Sequence, residues 1–209
     1  IKHQAETLLT EWRGASERPI LLVASTHRGE DEIILEAFAE IKTKIDNLLL
    51  VLVPRHPERF NQVAELCTSL CISRGFTLVR RSSKDKVDSA DILLGDTMGE
   101  LMSFFGACDI AFVGGSLVPT GGHNMIEPAA WGVPVLTGPH LFNFSEASQL
   151  LLEGNGMLIC DSADQLAVET VELLQNQQRR AEMGSAARRI AEANRGALDK
   201  LMAVIERSI

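Results

Sequence analysis

The feature that most constrains the fold is an uninterrupted run of six apolar residues, LLLVLV, at 48–53. Successive side chains of a strand point to opposite faces, so such a run predicts a strand covered on both sides. Similar short runs recur along the chain and alternate with amphipathic stretches. The predicted strands are 20–24, 48–53, 76–79, 91–94, 110–113, 133–136 and 157–159.

Between these runs, apolar residues recur at helical spacing. The predicted helices are 31–42, 57–73, 98–107, 126–131 and 144–152, and the stretch 162–209 predicts two or three more without a strand. This alternation predicts an α/β fold, a Rossmann-like doubly wound parallel sheet, with a helical C-terminal tail over 161–209 packed on it. Since no repeat or linker is visible, residues 1–209 are predicted to form a single domain.

Composition narrows the class of protein. The net charge of −8 argues against nucleic acid as a partner. The four cysteines form no CxxC pair and lie among apolar residues, which predicts reduced, buried thiols of a cytosolic protein. No apolar run reaches the ~18 residues of a membrane span. The chain starts IKHQAETLLTEW, without Met and already in a helical pattern, so we expect a soluble piece of a longer protein.

Parallel α/β sheets bind ligands at the carboxyl ends of their strands, so the residues that follow each predicted strand are the first candidates. After the first strand, Ser25 or Thr26 is expected to cap the next helix. After the second come Pro54, Arg55 and His56. Prolines on both sides restrict this backbone, and the arginine fork suits a phosphate or a carboxylate. A rigid loop with a surface salt bridge is the alternative interpretation.

The fourth strand is followed by GDTMGEL at 95–101. The spacing of Thr97 and Glu100 predicts a capping box, which would explain both residues without any function. It would place Met98 and Gly99 in the first helical turn, where glycine costs ~1 kcal/mol relative to alanine. A ligand lying against this helix start would explain the glycine.

The fifth strand leads into a glycine-rich loop, GGSLVPTGGHN at 114–124. Glycine-rich turns before a helix can present backbone N–H groups to an anion, which makes Gly115, Ser116 and His123 candidate binding residues. Asn124 and Glu127 have the spacing of a helix cap with an acidic third position. Glu127 is therefore either a capping residue or an acceptor for paired ligand hydroxyls.

The sequence contains no motif of a metal site, a serine hydrolase or a P-loop nucleotide-binding protein. The five histidines form neither an HxH nor an HxxxH pair, so no metal site is predicted. Neither a GxSxG motif nor a Walker A motif is present.

Five segments in a fixed order resemble a known family. They are STHRGE at 25–30, VPRHPERF at 53–60, GDTMGEL at 95–101, FVGGSLVPTGGHN at 112–124 and GPHLFNF at 138–144. Together they look like the C-terminal half of a GT-B glycosyltransferase, specifically the 3-deoxy-D-manno-octulosonic acid (Kdo) transferases. The resemblance runs from about residue 20 to the helical tail.

The resemblance implies transfer of Kdo from CMP-Kdo to the lipid A precursor, lipid IVA, in lipopolysaccharide synthesis. The reaction would take place at the cytoplasmic face of the Gram-negative inner membrane, with no metal or other cofactor. The resemblance implies that this chain binds the donor through Pro54, Arg55, Met98, Gly99, Glu100 and the stretch from Asn124 to Glu127. His56, Gly115, Ser116 and His123 are further candidates on the grounds of their own chemistry and position. The membrane-associating segment, the acceptor site and the general base would belong to an N-terminal domain, so no catalytic residue is expected here.

Two alternatives remain open at this stage. The first is a UDP-sugar-dependent transferase or epimerase of the same fold. A diphosphate donor calls for more basic groups, yet residues 112–139 contain neither Lys nor Arg. The second is a non-catalytic module that binds a nucleotide sugar.

Overall fold

The computed structural model describes residues 1–14 and 17–206, and the side chains among them as far as Arg195. The strands are β1 (Ile20–Thr26), β2 (Leu49–Pro54), β3 (Leu78–Arg80), β4 (Ile92–Leu94), β5 (Ile110–Val113), β6 (Val135–Thr137) and β7 (Met157–Ile159). The α-helices are α1 (Lys2–Arg13), α2 (Asp31–Lys42), α3 (Phe60–Arg74), α4 (Leu101–Phe105), α5 (Ile126–Trp131), α6 (Ser145–Glu153), α7 (Ala163–Gln175) and α8 (Gln177–Glu206).

The seven strands form one parallel sheet in the order β3-β4-β2-β1-β5-β6-β7. This confirms the predicted Rossmann-like, doubly wound α/β class. From β1 the sheet extends in one direction through β2, β4 and β3, with β4 placed between β2 and the earlier β3, and in the other direction from β5 to β7. The direction reverses between β1 and β5, and the crevice at such a switch point is where this class of sheet binds ligands.

The run LLLVLV shows why the central strands are apolar throughout. Leu50 and Leu52 pack into the cluster that contains residues of α2 and α3, whereas Leu49 and Val51 pack into the cluster formed by α1 and α4. Every residue of β2 is buried. Because both faces of the strand need apolar side chains, the sequence cannot alternate between polar and apolar residues.

The helical tail packs on the rest of the chain. Helix α7 contacts α2, and α8 contacts α5. Two helices therefore account for the predicted tail as far as Glu206, and residues 207–209 lie outside the described residues. Three of the cysteines are buried, as predicted, and Cys108 is partly exposed.

One predicted helix begins in the wrong place. The capping pattern predicted a helix from Met98, but α4 begins at Leu101 and no side chain caps it. Gly99 adopts a φ of +83°, which a right-handed helix cannot contain. The stretch 97–99 is therefore a bend, and Glu100 is the residue that precedes the helix.

Candidate functional site

The loops that carry the predicted binding residues meet along one side of the sheet. Strands β4, β2, β1 and β5 are neighbours in that order, so their carboxyl ends stand side by side. We call this side the carboxyl edge. The carboxyl edge brings together the loop after β1, to which no binding role was assigned, and the loops after β4, β2 and β5. These three loops, with the last residue of β2 and the start of α5, carry all the predicted residues.

Glu30, in the loop after β1, is the main organiser of this edge. Its carboxylate is fully buried and accepts hydrogen bonds from four backbone N–H groups. One is that of His27 at 2.8 Å, and three belong to the glycine-rich loop after β5, namely Gly115 at 2.7 Å, Ser116 at 2.9 Å and Leu117 at 2.8 Å. These N–H groups were expected to face an anionic ligand, but a carboxylate of the protein already occupies them.

The glycines of this loop allow close approach to other protein groups. A Cβ on Gly114 would lie 2.8 Å from the carbonyl oxygen of Ser25, at the end of β1. Gly115 has a φ of +68°, and a Cβ there would lie 2.9 Å from the ring of His123. The neighbours that require glycine at 114 and 115 are therefore groups of the protein itself.

Ser116 joins two loops of the carboxyl edge. Its hydroxyl donates to the carbonyl of Val113 at 2.7 Å and accepts from the N–H of Gly138 at 2.8 Å. Its own carbonyl accepts from the N–H of His140 at 3.0 Å. The residue is fully buried, and its backbone and hydroxyl groups are engaged within the protein. The structure thus gives it a role in holding the loop after β5 against the loop after β6.

Two histidines meet at the switch point. Nε2 of His27 lies 2.8 Å from Nε2 of His123, and the two rings are nearly parallel, with centroids 5.0 Å apart. The ring of His56 stands edge-on to His27 at 5.3 Å. A contact of this length between two ring nitrogens requires one to donate and the other to accept. His27 was not among the predicted site residues.

The electrostatics of the site keep these rings uncharged. Burial lowers the pKa of His123 to about 4, and the neighbouring His27 and Arg55 add to this effect. Burial also lowers the pKa of His27, against the opposing influence of Glu30. Both imidazoles are therefore neutral near pH 7, which agrees with a shared hydrogen bond between them.

The loop after β2 presents two exposed side chains. Pro54 is buried as the last residue of the strand, whereas Arg55 and His56 are exposed. Within the described part of the chain, the Arg55 guanidinium has neither an ion-pair partner nor a hydrogen-bond partner. Arg59, four residues further on, is instead held by the buried carboxylate of Asp31. The salt bridge that was the alternative explanation for this loop thus belongs to Arg59 and not to Arg55.

The loop after β4 also has an exposed part and a fixed part. Met98 is 65% exposed, and nothing lies within 4 Å of the Cβ position of Gly99. Glu100 accepts hydrogen bonds from Arg81 at 2.8 Å and from the hydroxyl of Thr97 at 2.5 Å. The Arg81 hydrogen bond lowers the pKa of Glu100. Arg81 therefore fixes this carboxylate, and the predicted capping box does not form.

Asn124 lies one residue before the N-cap of helix α5, which is Met125 and carries no side-chain cap hydrogen bond, so the predicted cap at Asn124 does not form. Its side-chain oxygen accepts from the N–H of Ile126 at 3.0 Å, and its amide nitrogen donates to Oε1 of Glu127 at 3.2 Å. Glu127 is half-buried. Among the described residues, nothing hydrogen-bonds to its second oxygen, Oε2. Glu127 thus has one oxygen engaged with the Asn124 amide and one available.

Sequence reasoning missed Glu30, His27 and the role of Thr26. Helix α2 begins at Asp31 without a side-chain cap, and the hydroxyl of Thr26 donates to the Asp31 carboxylate at 2.6 Å instead. Glu30 and His27 could have been proposed as site residues because they directly follow a buried strand. In the described part of the chain, no group of three His, Cys, Asp or Glu side chains has a geometry that could hold a metal ion.

Comparison with known proteins identifies the family. No protein-family model matches the chain. The 3-deoxy-D-manno-octulosonic acid transferase of Haemophilus influenzae is 46% identical over 203 residues, which cover 96% of this chain and 46% of that protein. The crystal structure of the C-terminal CMP-Kdo binding domain of WaaA from Acinetobacter baumannii is 34% identical, with a TM-score of 0.83, and the match covers 90% of this chain and 96% of that one.

This chain belongs to the Kdo transferase family. It spans about half the length of the curated Kdo transferases that it matches. Anabaena Alr3699/HepE in complex with UDP-glucose has a TM-score of 0.67, but at 13% identity that likeness shows only the shared fold. None of the helices in the described part of this family member is both long and apolar enough to cross a membrane.

Proposed function

We propose that the carboxyl edge of this chain binds CMP-Kdo, the donor of the Kdo transferase reaction. The observation that carries the proposal is the match to the C-terminal CMP-Kdo binding domain of WaaA. The two chains are 34% identical, and the match covers 96% of that domain. The site geometry supports the proposal, because the loops after β4, β2 and β5 lie along the carboxyl edge, on the two sides of the switch point between β1 and β5. The glycosyltransferase activity belongs to the whole protein.

The unpartnered groups of the edge have chemistry that suits this donor. CMP-Kdo carries a phosphate and a sugar carboxylate, and the exposed Arg55 guanidinium matches either. The available oxygen of Glu127 would accept hydrogen bonds from the ribose hydroxyls, while Asn124 holds that carboxylate in place. Met98 and Gly99 would contact the nucleotide from the loop after β4, with Pro54 and His56 lining the neighbouring loop.

Other predicted residues would act through the shape of the site. Gly115 and Ser116 donate their N–H groups to Glu30, so we propose that they hold His123 and the loop in position for the donor. Glu100 is paired with Arg81 and would keep the bend at 97–99 in place. We propose metal-independent binding, in which the cationic and hydrogen-bonding side chains of the protein stabilise the donor's charge.

We further propose that the whole protein transfers Kdo to lipid IVA at the cytoplasmic face of the Gram-negative inner membrane. The acceptor site, the membrane contact and the general base would come from sequence outside these residues. This chain alone is then expected to bind donor without turnover. Measuring Kdo transfer with the chain alone and with the full-length protein tests this division, and transfer by the chain alone would contradict it.

Calorimetric titration of this chain with CMP and with UDP tests the donor assignment. We expect CMP to bind and UDP to bind at least about tenfold more weakly, which is a difference of about 1.4 kcal/mol. Equal or tighter binding of UDP would replace the assignment with the UDP-sugar alternative, for which no observation on this chain is more favourable. If CMP binds and the full-length protein shows no turnover, the non-catalytic binding module becomes the better account.

A further inference from the structure

His123 is paired with His27, a residue to which the proposed function assigns no role. The facing Nε2 atoms are 2.8 Å apart, so they share one hydrogen bond. Among the described residues, neither ring has a hydrogen-bond partner at Nδ1. A pair of neutral imidazoles carries two ring protons, one of which lies between the rings. It can therefore offer only one Nδ1–H to a ligand.

Adding one proton changes what the pair offers. The bridging N–H is retained, and both Nδ1 atoms then carry a proton, so that the pair presents two donors and one positive charge. Such a cation suits an oxyanion, because charge-assisted hydrogen bonds are about twice as strong as neutral ones. Gly115 makes the arrangement possible, since a Cβ there would meet the His123 ring at 2.9 Å.

We propose that His27 and His123 act together as a binding element for an oxyanion of the donor, and that the pair takes up one proton from solvent when the anion binds. The proposal rests on the proposed function and deepens it, because it assigns His27 a role in donor binding. The oxyanion is either the phosphate or the sugar carboxylate of the donor. Either group would accept the same hydrogen bonds from the two Nδ1–H groups.

Burial, together with the charges around the pair, explains why it is neutral near pH 7 and why an anion would reverse this. The groups that act on the pair come from the loops after β1 and β2, and they are Glu30, Arg55, Arg59 and His56. The cations and burial disfavour a further positive charge. Glu30 favours it, but its carboxylate is already surrounded by four N–H donors. An arriving anion would offset the cations, so the proton affinity of the pair should rise on binding.

The first test counts protons by calorimetry. CMP, CMP-Kdo and cytidine are titrated into this chain at pH 7.5 in two buffers with different heats of ionisation. We expect about one proton taken up per ligand for the species that carries the relevant oxyanion, and none for cytidine. Uptake with both CMP and CMP-Kdo assigns the phosphate, and uptake with CMP-Kdo alone assigns the carboxylate. Binding without uptake by either overturns the proposal but leaves the proposed function intact. An absence of CMP and CMP-Kdo binding overturns both.

The second test separates this role from a structural one. Affinity for the ligand that takes up the proton should rise by up to about tenfold per pH unit from pH 8 to 6.5, and His123→Gln and His27→Gln should each flatten the profile. His3→Gln, on the exposed surface of α1, is the matched control and should keep the slope. Ring-proton NMR of the unmodified chain gives a readout that does not depend on how the variants fold. Histidine shifts that titrate identically with and without ligand would contradict the proposal.

Discussion

Two parts of the carboxyl edge differ in how completely their polar groups are used. We call the first the Glu30 frame, which comprises Glu30 and the N–H groups of residues 115–117; it is buried and fully hydrogen-bonded. We call the second the open edge, which comprises Arg55, His56 and residues 98–99; its side chains are exposed. The difference teaches that a glycine-rich loop can be built for the protein's own carboxylate, while the exposed side chains come from neighbouring loops.

The largest effect should come from removing the negative charge of the Glu30 frame. Glu30→Gln places an amide N–H₂ against N–H donors in a buried site, which should lower the free energy of unfolding by on the order of 3 kcal/mol. Urea denaturation measures this. Glu36→Gln, on the exposed face of α2, is the control and should stay within about 0.5 kcal/mol. Equal stability of the two variants would mean that the frame is not a structural device.

The opposite behaviour is expected of the open edge. Arg55→Ala removes a charged, unpartnered side chain, so it should weaken CMP binding by about 1.5–3 kcal/mol, roughly ten- to hundredfold in Kd. Its free energy of unfolding should change by less than about 0.5 kcal/mol. Calorimetry and urea denaturation check the two parts. Arg74→Ala, at the other end of helix α3, should affect neither, and a CMP affinity of Arg55→Ala equal to that of Arg74→Ala would refute the role of Arg55.

A pair of glycine substitutions sharpens the comparison. A Cβ on Gly138 would lie 2.3 Å from the backbone carbonyl of Ser116, so Gly138→Ala should cost about 1–3 kcal/mol of folding free energy. Gly99→Asn keeps a residue that tolerates a positive φ and has open space around it, so it should stay within about 0.5 kcal/mol. Thermal unfolding of both variants tests this, and the reverse order of stability would contradict the assignment of the two regions.

A further prediction concerns acid. The pKa of His123 in the folded chain is lowered to about 4, whereas an unfolded histidine titrates near 6.5. The unfolded chain therefore binds more protons, so the contribution of this residue is fully present above pH 6.5 and is lost between about pH 6.5 and 4. His123→Gln should lose less stability over that interval than the unmodified chain. His3→Gln should have the same dependence of stability on pH as the unmodified chain. If His123→Gln also had that dependence, the pKa of His123 would not be lowered in the folded chain.

Local patterns in the sequence were sufficient for the fold. LLLVLV predicted a strand covered on both faces, and helix α5 begins and ends where its pattern predicted. These features depend on residues close together in the chain. The start of α4 was missed because Glu100 pairs with Arg81, nineteen residues away, and because Gly99 adopts a positive φ that the capping pattern does not reveal.

The site was predicted less completely because its contacts are long-range. The order of elements predicted that the loops would lie side by side, whereas Asn124, the cap that the spacing indicated, lies one residue before the observed cap position. The partners of Glu30 in the glycine-rich loop are 85–87 residues away, so no local pattern could show that its carboxylate fills that loop. The contact between His27 and His123 spans 96 residues and was missed for the same reason.

Backbone amide NMR during a titration with CMP is the most direct test of the central claim. We predict the largest shift changes at Arg55, His56 and residues 98–99 of the open edge, and at Asn124 and Glu127. The N–H groups of residues 115–117 should remain hydrogen-bonded to Glu30 and protected from exchange with solvent. If instead these N–H groups shift most and lose protection, the ligand displaces Glu30, and the division into a frame and an open edge is wrong.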